Sequence, residues 1–441
     1  MAPSHLETGE CESRAPENGL GPDAPASRQR ARPKLRALFV SHGCYLETSN
    51  GASVATRAMM ECLARHGCAA EALSGTVFDS EKPGGPEAWL AEQGLTFEPI
   101  GPSGASMGTP GSAGVDPAYY RMRVRNVGIM LHRCPTMSTH GPDEAECQAF
   151  LQLLEETLVR VRPDVVVGYG GDAFAVRLRG RARAFGAAVV CPLHHLHYRS
   201  AAPFADTDLI IAPSRFAASY YRRILGLECV VLPNLIDFER VRAETRDPRY
   251  VTFVNPSYEK GVYVFARIAD ELGRRRPDIP LLVVESRGTE RTLVDCGLDL
   301  RTHGNVSVMR HTPDPRHFWS VTRVAIMPSL CWENQPLVAI EAMINGVPVI
   351  GSDRGGAPEA LGDAGIVLGL PQRLTPSTQE LPTAREVEPW VKAIVGLWDD
   401  SAWYAEQSLR SASESRRWAP EVLEPRYLQF LEDLRPHSPP V

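Results

Sequence analysis

At 441 residues, 43% hydrophobic and 23% charged, the chain has the composition of a globular protein of two or three domains. No apolar run approaches the roughly 18–20 residues a membrane-spanning helix needs. A net charge of -6 gives no global attraction to nucleic acid or acidic lipid. Only four of the 47 basic residues are lysine: Lys34, Lys82, Lys260 and Lys392. The 10 cysteines include no C-x-x-C pair and no Cys/His set with zinc spacing, so no metal site is expected. The N-terminus lacks the apolar core of a signal peptide, and a cytoplasmic location with reduced thiols is expected.

Residues 1–33, rich in Pro, Gly, Ser and charge, read as a disordered tail. LRALFVSH (35–42) is a short apolar run, a buried strand, followed by the polar loop TSNGAS and a helix ending on Gly67. AAEALSG (69–75) reads as the next strand. Residues 79–118 read as loops around one short helix near Glu87–Gln93, part of a long excursion reaching residue 150. The strand–helix rhythm resumes with RPDVVVGYGG, DAFAVRLRGRARAFG and AAVVCPL, then TDLIIAPS, RFAASYYRRILG and ECVVLPN. PNLIDFERVRAETRDP breaks it as a linker. A second set follows: YVTFVNP, GVYVFARIADELGRR, LLVVES, VSVMRH, RVAIMPS, PLVAIEAMING and GVPVIGS, with a helical tail from about Arg385. The expected architecture is α/β: two tandem Rossmann-like domains with parallel sheets. Their expected bounds are 34–235 and 249–420, with a helix and tail at 421–441 packing back on the first domain.

The segment SLCWENQPLVAIEAMINGVPVIGSDRGGAPE (329–359) concentrates the chemistry. Pro336 suits a first helical turn, with Asn334 or Gln335 near the cap. The amides of Gln335, Leu337 and Val338 then form a helix N-terminus that attracts phosphate. Glu341 is the one charge on an otherwise apolar helix and needs a partner, either a structural arginine or a set of hydroxyl donors. Glu333 stands just before the helix. A phosphate seat with two carboxylates suits a nucleotide sugar.

Glu333 and Glu341, with seven residues between them and followed by INGVPVIGSDRGGAPE, resemble the signature of retaining glycosyltransferases of family 4. The resemblance takes in the opening strand, loop and helix, TDLIIAPSRFAASYYRRILG, VVLPNLID and FVNPSYEKG, spanning about residues 35–430; the excursion at 79–150 matches no part of it. It implies the GT-B fold, in which two Rossmann-like domains face across a cleft. By the resemblance, Glu341 binds the donor ribose, Glu333 touches the transferred sugar and Lys260 grips the diphosphate. The family's arginine five residues before that lysine is here Asn255. The family's histidine facing sugar and acceptor corresponds to His194 after the strand AAVVCPL, with its neighbour His195 as the alternative. Asn50 and Gly51 fill the family's glycine loop, Asn50 as a residue that tolerates positive φ. The resemblance implies a nucleotide diphosphate sugar as donor and no metal or other cofactor, with the acceptor a glycan, lipid or small natural product.

Two further motifs point elsewhere. Gly168-Tyr-Gly-Gly-Asp-Ala173 fits the dinucleotide fingerprint, but no ribose-binding acid follows about 20 residues on, where the chain reads Cys191-Pro192-Leu193. Asp206-Thr-Asp208 resembles a metal-binding D-x-D, yet merely opens the strand LIIAPS. The alternatives to a transferase are a sugar-nucleotide-binding protein without turnover and an NAD-dependent enzyme.

Overall fold

The structure is a computed structural model that describes residues 35–79, 81–107 and 116–434. The tail expected at 1–33 and the last residues of 421–441 lie outside the described residues.

Alternation along the first strand, β1 (Arg36–Gly43), divides two cores. Leu35, Ala37 and Phe39 join Met60 and Leu63 on one side, while Leu38 and Val40 join Phe150, Leu154, Phe174 and Leu178 on the other. The chain continues through α1 (Gly51–Arg65), β2 (Ala69–Val77), α2 (Gly85–Glu92), β3 (Phe97–Ile100), β4 (Tyr119–Val124) and β5 (Val127–His132). Then come α3 (Glu144–Val161), β6 (Val165–Val167), α4 (Ala173–Ala184), β7 (Ala188–Pro192), β8 (Leu209–Ala212), α5 (Arg215–Leu225) and β9 (Val230–Val231). They form a nine-stranded sheet in the order β3-β4-β5-β2-β1-β6-β7-β8-β9, parallel except where β4 pairs with β3 and β5.

The excursion is therefore not loops around one helix. It carries three strands, and β5 takes the third place of a Rossmann-type order outward from β1. Arg125 and Asn126 turn the β4–β5 hairpin with φ of 45° and 67°, the two-residue geometry that matches strand twist. No glycine marks that turn.

The segment expected as a linker contains α6 (Phe238–Val241). The second lobe runs through β10 (Tyr250–Val254), α7 (Val262–Arg275), β11 (Leu281–Val284), α8 (Glu290–Val294), β12 (Val306–Met309), α9 (Arg316–Trp319) and β13 (Thr322–Met327). It continues with α10 (Leu337–Ile344), β14 (Val349–Ser352), α11 (Ala357–Leu361), β15 (Ile366–Leu368), α12 (Ala384–Asp399) and α13 (Ser401–Glu414). Its six strands are ordered β12-β11-β10-β13-β14-β15, all parallel, which is the 3-2-1-4-5-6 order of dinucleotide-binding sheets. The last helix, α14 (Pro420–Asp433), returns to the first lobe. There Glu424 meets Arg65 and His66, and the Tyr427 hydroxyl donates to the Pro233 carbonyl at 2.9 Å. No helix among the described residues is long and apolar enough to cross a membrane.

Candidate active site

In each sheet the strand order reverses beside its first strand, between β1 and β6 and between β10 and β13. Ligands of open α/β sheets bind outside the carboxyl ends of the strands at such points. Here the two reversals open into one cleft of about 920 Å³, lined from both lobes.

In the second lobe, β10 and β13 are paired neighbours, so the loops that follow them meet. Lys260 Nζ lies 2.6 Å from Glu333 Oε1, and the Ser329 hydroxyl donates to the same oxygen at 2.6 Å. Burial opposes charge on both partners. Their mutual attraction wins, holding the Glu333 carboxyl below its ordinary range and the Lys260 ammonium above its own. Two glycine features fix this pair. Gly261, at φ 82°, lies so close to Pro328 that a Cβ would stand 2.0 Å from its carbonyl oxygen. Gly355, at φ 64°, lies beneath Glu333, where a Cβ would come within 2.5 Å of the Glu333 carbonyl oxygen. The Gly356 amide then donates to that carbonyl at 2.6 Å. The Gly-Gly of SDRGGAPE is thus a backbone seat for Glu333. Gly261→Ala combines a strained φ with a backbone clash, and a loss of roughly 1–3 kcal/mol is expected. Thermal melts should show it as a lowered Tm; an unchanged Tm would mean that Lys260 needs no such anchor.

Glu341 sits half-buried on α10, and its carboxylate accepts from the Trp319 indole at 3.2 Å. No arginine or lysine among the described residues forms an ion pair with it. Burial raises its pKa from the ordinary 4.5 to about 7, against the lowering effect of the Trp319 hydrogen bond. Of the two partners left open by the sequence, the structural arginine is absent. At the head of α10 the cap is Pro336, later than the expected Asn334 or Gln335, because its extended backbone (φ −74°, ψ 95°) precedes the first helical residue. Leu337 and Val338 therefore present the uncapped amides. Gln335 lies outside the helix; its side-chain oxygen accepts from the Asn234 amide at 2.8 Å, across the lobes.

Asn255 is not placed as a substitute for a cation. It is buried at φ 64°, and its side-chain oxygen accepts from the Gly288 amide at 2.8 Å, bracing the loop after β11. The neighbour of Gly288 in that loop is Arg287, exposed, lining the cleft and near enough to Lys260 for their charges to interact. No carboxylate among the described residues pairs with it. Sequence reasoning missed Arg287. The missing cation near Lys260 was the only signal, and it gave no position.

In the first lobe, Asn50 has φ −125°, so positive-φ tolerance does not explain it. It caps α1: its side-chain oxygen accepts from the Ser53 amide at 2.9 Å, and its amide group donates to Asp79 at 3.3 Å. Gly51 opens α1 against Leu337, the atom nearest to its missing Cβ being Leu337 Cδ1 at 3.5 Å. His194 follows β7 with its ring edge-on to Tyr169 and Nε2 3.4 Å from the Thr56 hydroxyl. Burial, with the neighbouring His195 charge, lowers its pKa to about 3, so the imidazole is neutral. His195 is exposed, and its carbonyl accepts from the Tyr221 hydroxyl at 2.8 Å. Both histidines line the cleft.

The two lobes are joined around this cleft. The Asn334 side chain donates to the Leu193 carbonyl at 2.6 Å, and Glu359 accepts from the Arg215 and Phe216 amides at 3.0 Å. Asp172 and Asp208 are structural: the first caps α4 through the Ala175 amide at 2.9 Å, the second accepts from the Val189 amide at 2.8 Å.

Two Rossmann-like lobes facing across such a cleft are the GT-B fold. Solved structures share it across 90% or more of this chain. Sucrose-phosphate synthase from Thermosynechococcus elongatus superposes with a TM-score of 0.64 at 16% identity, over 90% of this chain and 98% of its own. Anabaena HepE in complex with UDP and glucose gives 0.59 at 14%, over 90% and 99%. Residues 248–397 match the family Glycosyl transferases group 1. Among curated relatives, lipopolysaccharide 1,2-N-acetylglucosaminetransferase of Salmonella typhimurium is 25% identical over 191 residues, 37% of this chain and 49% of that protein. D-inositol 3-phosphate glycosyltransferase of Paenarthrobacter aurescens is 29% identical over 150 residues, 32% of this chain and 33% of that protein. The matches thus span about half and about a third of those relatives.

Proposed function

We propose that the protein is a retaining glycosyltransferase that takes a sugar from a nucleotide diphosphate donor. The observation that carries this is the Lys260–Glu333 pair sharing one interlobe cleft with Glu341, a carboxylate with room for hydroxyl donors. The matching of residues 248–397 to group 1 glycosyl transferases supports it, as does the UDP held by the structurally similar HepE.

In this reading the Glu341 carboxylate accepts from the ribose hydroxyls. Lys260, Arg287 and the Leu337 and Val338 amides receive the diphosphate and stabilise the charge that grows on it as the glycosidic bond breaks. Glu333 holds Lys260 and touches the sugar. Neutral His194 faces sugar and acceptor from the first lobe. The acceptor hydroxyl attacks from the face the diphosphate leaves, and a diphosphate oxygen takes its proton, which retains the anomeric configuration. Closure of the lobes limits access of water to the donor.

Thermal-shift titration with UDP, GDP and ADP tests donor binding, since a ligand of the native state stabilises by RT ln(1 + [L]/Kd). The product anomer by NMR tests retention. Binding without transfer to any acceptor or to water would leave a nucleotide-sugar-binding protein, and an inverted product would overturn the mechanism. Arg287 gives a sharper check. A charge-assisted phosphate contact is worth roughly 1.5–3 kcal/mol. Arg287→Ala should therefore weaken nucleoside diphosphate binding at least tenfold and leave nucleoside binding as it was. Equal affinities in variant and parent would remove Arg287 from the diphosphate site.

A further inference from the structure

Within the first lobe, away from the cleft lining, five metal-binding side chains converge. His42 is the penultimate residue of β1, His132 ends β5, Cys134 and His140 lie in the loop that follows, and Glu146 stands in the first turn of α3. His42 Nε2 is 2.8 Å from Glu146 Oε1, and Cys134 Sγ is 3.8 Å from His42 Nε2 and 3.7 Å from His132 Nδ1. The ligand atoms of His42, Cys134 and Glu146 all lie within 4.8 Å of one another. His140 Nε2 approaches the other oxygen of Glu146 at 2.9 Å. His132, Cys134 and Glu146 are buried, and the rings of Phe150 and Phe174 wall the cluster at 6.3 Å and 5.7 Å from that of His42.

A buried carboxylate with imidazoles and a thiol is expensive to assemble from polar groups alone. Sulfur, nitrogen and oxygen donors together suit zinc, at about 2.3 Å to sulfur and 2.0–2.2 Å to nitrogen and oxygen. A tetrahedron with those bonds sets its ligand atoms roughly 3.3–3.6 Å apart. The separations of His42 Nε2 from Glu146 and from Cys134, 2.8 Å and 3.8 Å, bracket that range. We propose that His42, Cys134 and Glu146 bind a zinc ion, with His132 beside the thiol at 3.7 Å and His140 holding the second carboxylate oxygen as outer partners. The ion would staple the β5–α3 loop and α3 to the end of β1. It would give the excursion, which matched no part of the family pattern, a fixed place in the lobe. Sequence spacing hides the site because His42 is 92 residues from Cys134.

The test uses full-length protein made without a polyhistidine tag and purified without chelator. Mass spectrometry of the metal content should find about one zinc per chain, and chelation should lower the Tm. Titrating the stripped protein with cobalt(II) should give a thiolate-to-metal charge-transfer band in the near ultraviolet. Cys134→Ser should abolish that band, and His42→Ala should lose the zinc. Parent protein that carries no zinc and gives no thiolate band would overturn the proposal in favour of a hydrogen-bonded network. Zinc retained at full occupancy in both variants would overturn the placement. The parent measurement does not depend on the variants folding.

Discussion

Lys260→Ala should produce the largest combined loss of stability and donor binding of any change in the cleft. Glu333 is buried, and Lys260 is the cation that holds its carboxylate at 2.6 Å. Removing one partner of a buried pair costs about 3–5 kcal/mol, because the remaining charge keeps its desolvation penalty without its attraction. The same change removes a phosphate-binding ammonium, and nucleoside diphosphate affinity should fall tenfold to a hundredfold. Nucleoside affinity should fall much less. The double variant Lys260→Ala/Glu333→Gln separates the two effects. It removes the orphaned charge, so most of the Tm should return while diphosphate affinity stays low. Calorimetry and titration with UDP and uridine read both quantities. A double variant no more stable than the single one would mean that the pair is not the source of the stability loss. Diphosphate affinity unaltered in Lys260→Ala would return that residue to a purely structural role.

Glu341 should make donor binding pH-dependent around neutrality. Its carboxyl is raised from 4.5 to about 7 by burial, so a substantial protonated fraction exists at pH 7 before any ligand arrives. Ribose hydroxyls donating to the carboxylate bind the ionised form. Affinity should therefore rise with pH up to about 7 and level off above it, falling up to tenfold per pH unit below. Stability has the opposite sign. A carboxyl raised in the folded state binds its proton more tightly there, so its contribution is present below the unfolded value of 4.5 and is lost as pH rises through about 7. Glu341→Gln should flatten both profiles and weaken nucleotide binding by about 1–2 kcal/mol at high pH, since a neutral acceptor replaces a charged one. The measurement is UDP affinity at several pH values in parent and variant, taken as a ratio so that titration of the phosphate itself cancels. A ratio independent of pH would separate Glu341 from the nucleotide.

The strand–helix rhythm was legible wherever apolar runs were continuous, because a strand buried on both faces must be apolar throughout. That holds for LRALFVSH, VVVGY, LIIAPS and LLVV. It failed at YYRMRV, whose alternate arginines face solvent on the strand next to the sheet edge, and at the Arg125–Asn126 turn, where positive φ is carried without glycine. The helix α3 did carry a readable signal, an Asp143 cap before a 3.6-residue apolar stripe.

Local sequence singled out the two glutamates and the family resemblance pointed to Lys260 and the first-lobe loop, and all of them line the one cleft. Local sequence could not assign Asn50 to a helix cap, Asn255 to a loop brace or Gln335 to an interlobe bond, since each depends on a backbone angle or a distant partner. Local patterning carries the alternation of strands and helices and the residue types that stand at their ends. Which ends meet was decided by strand order alone. Lys260 and Glu333 are 73 residues apart. They touch because parallel crossovers place β13 beside β10, bringing both following loops to one end of the sheet. The same rule gathers His42, Cys134 and Glu146 across the first sheet. Hydrophobic periodicity fixes the faces of each element, but only the packing of those faces fixes the neighbours.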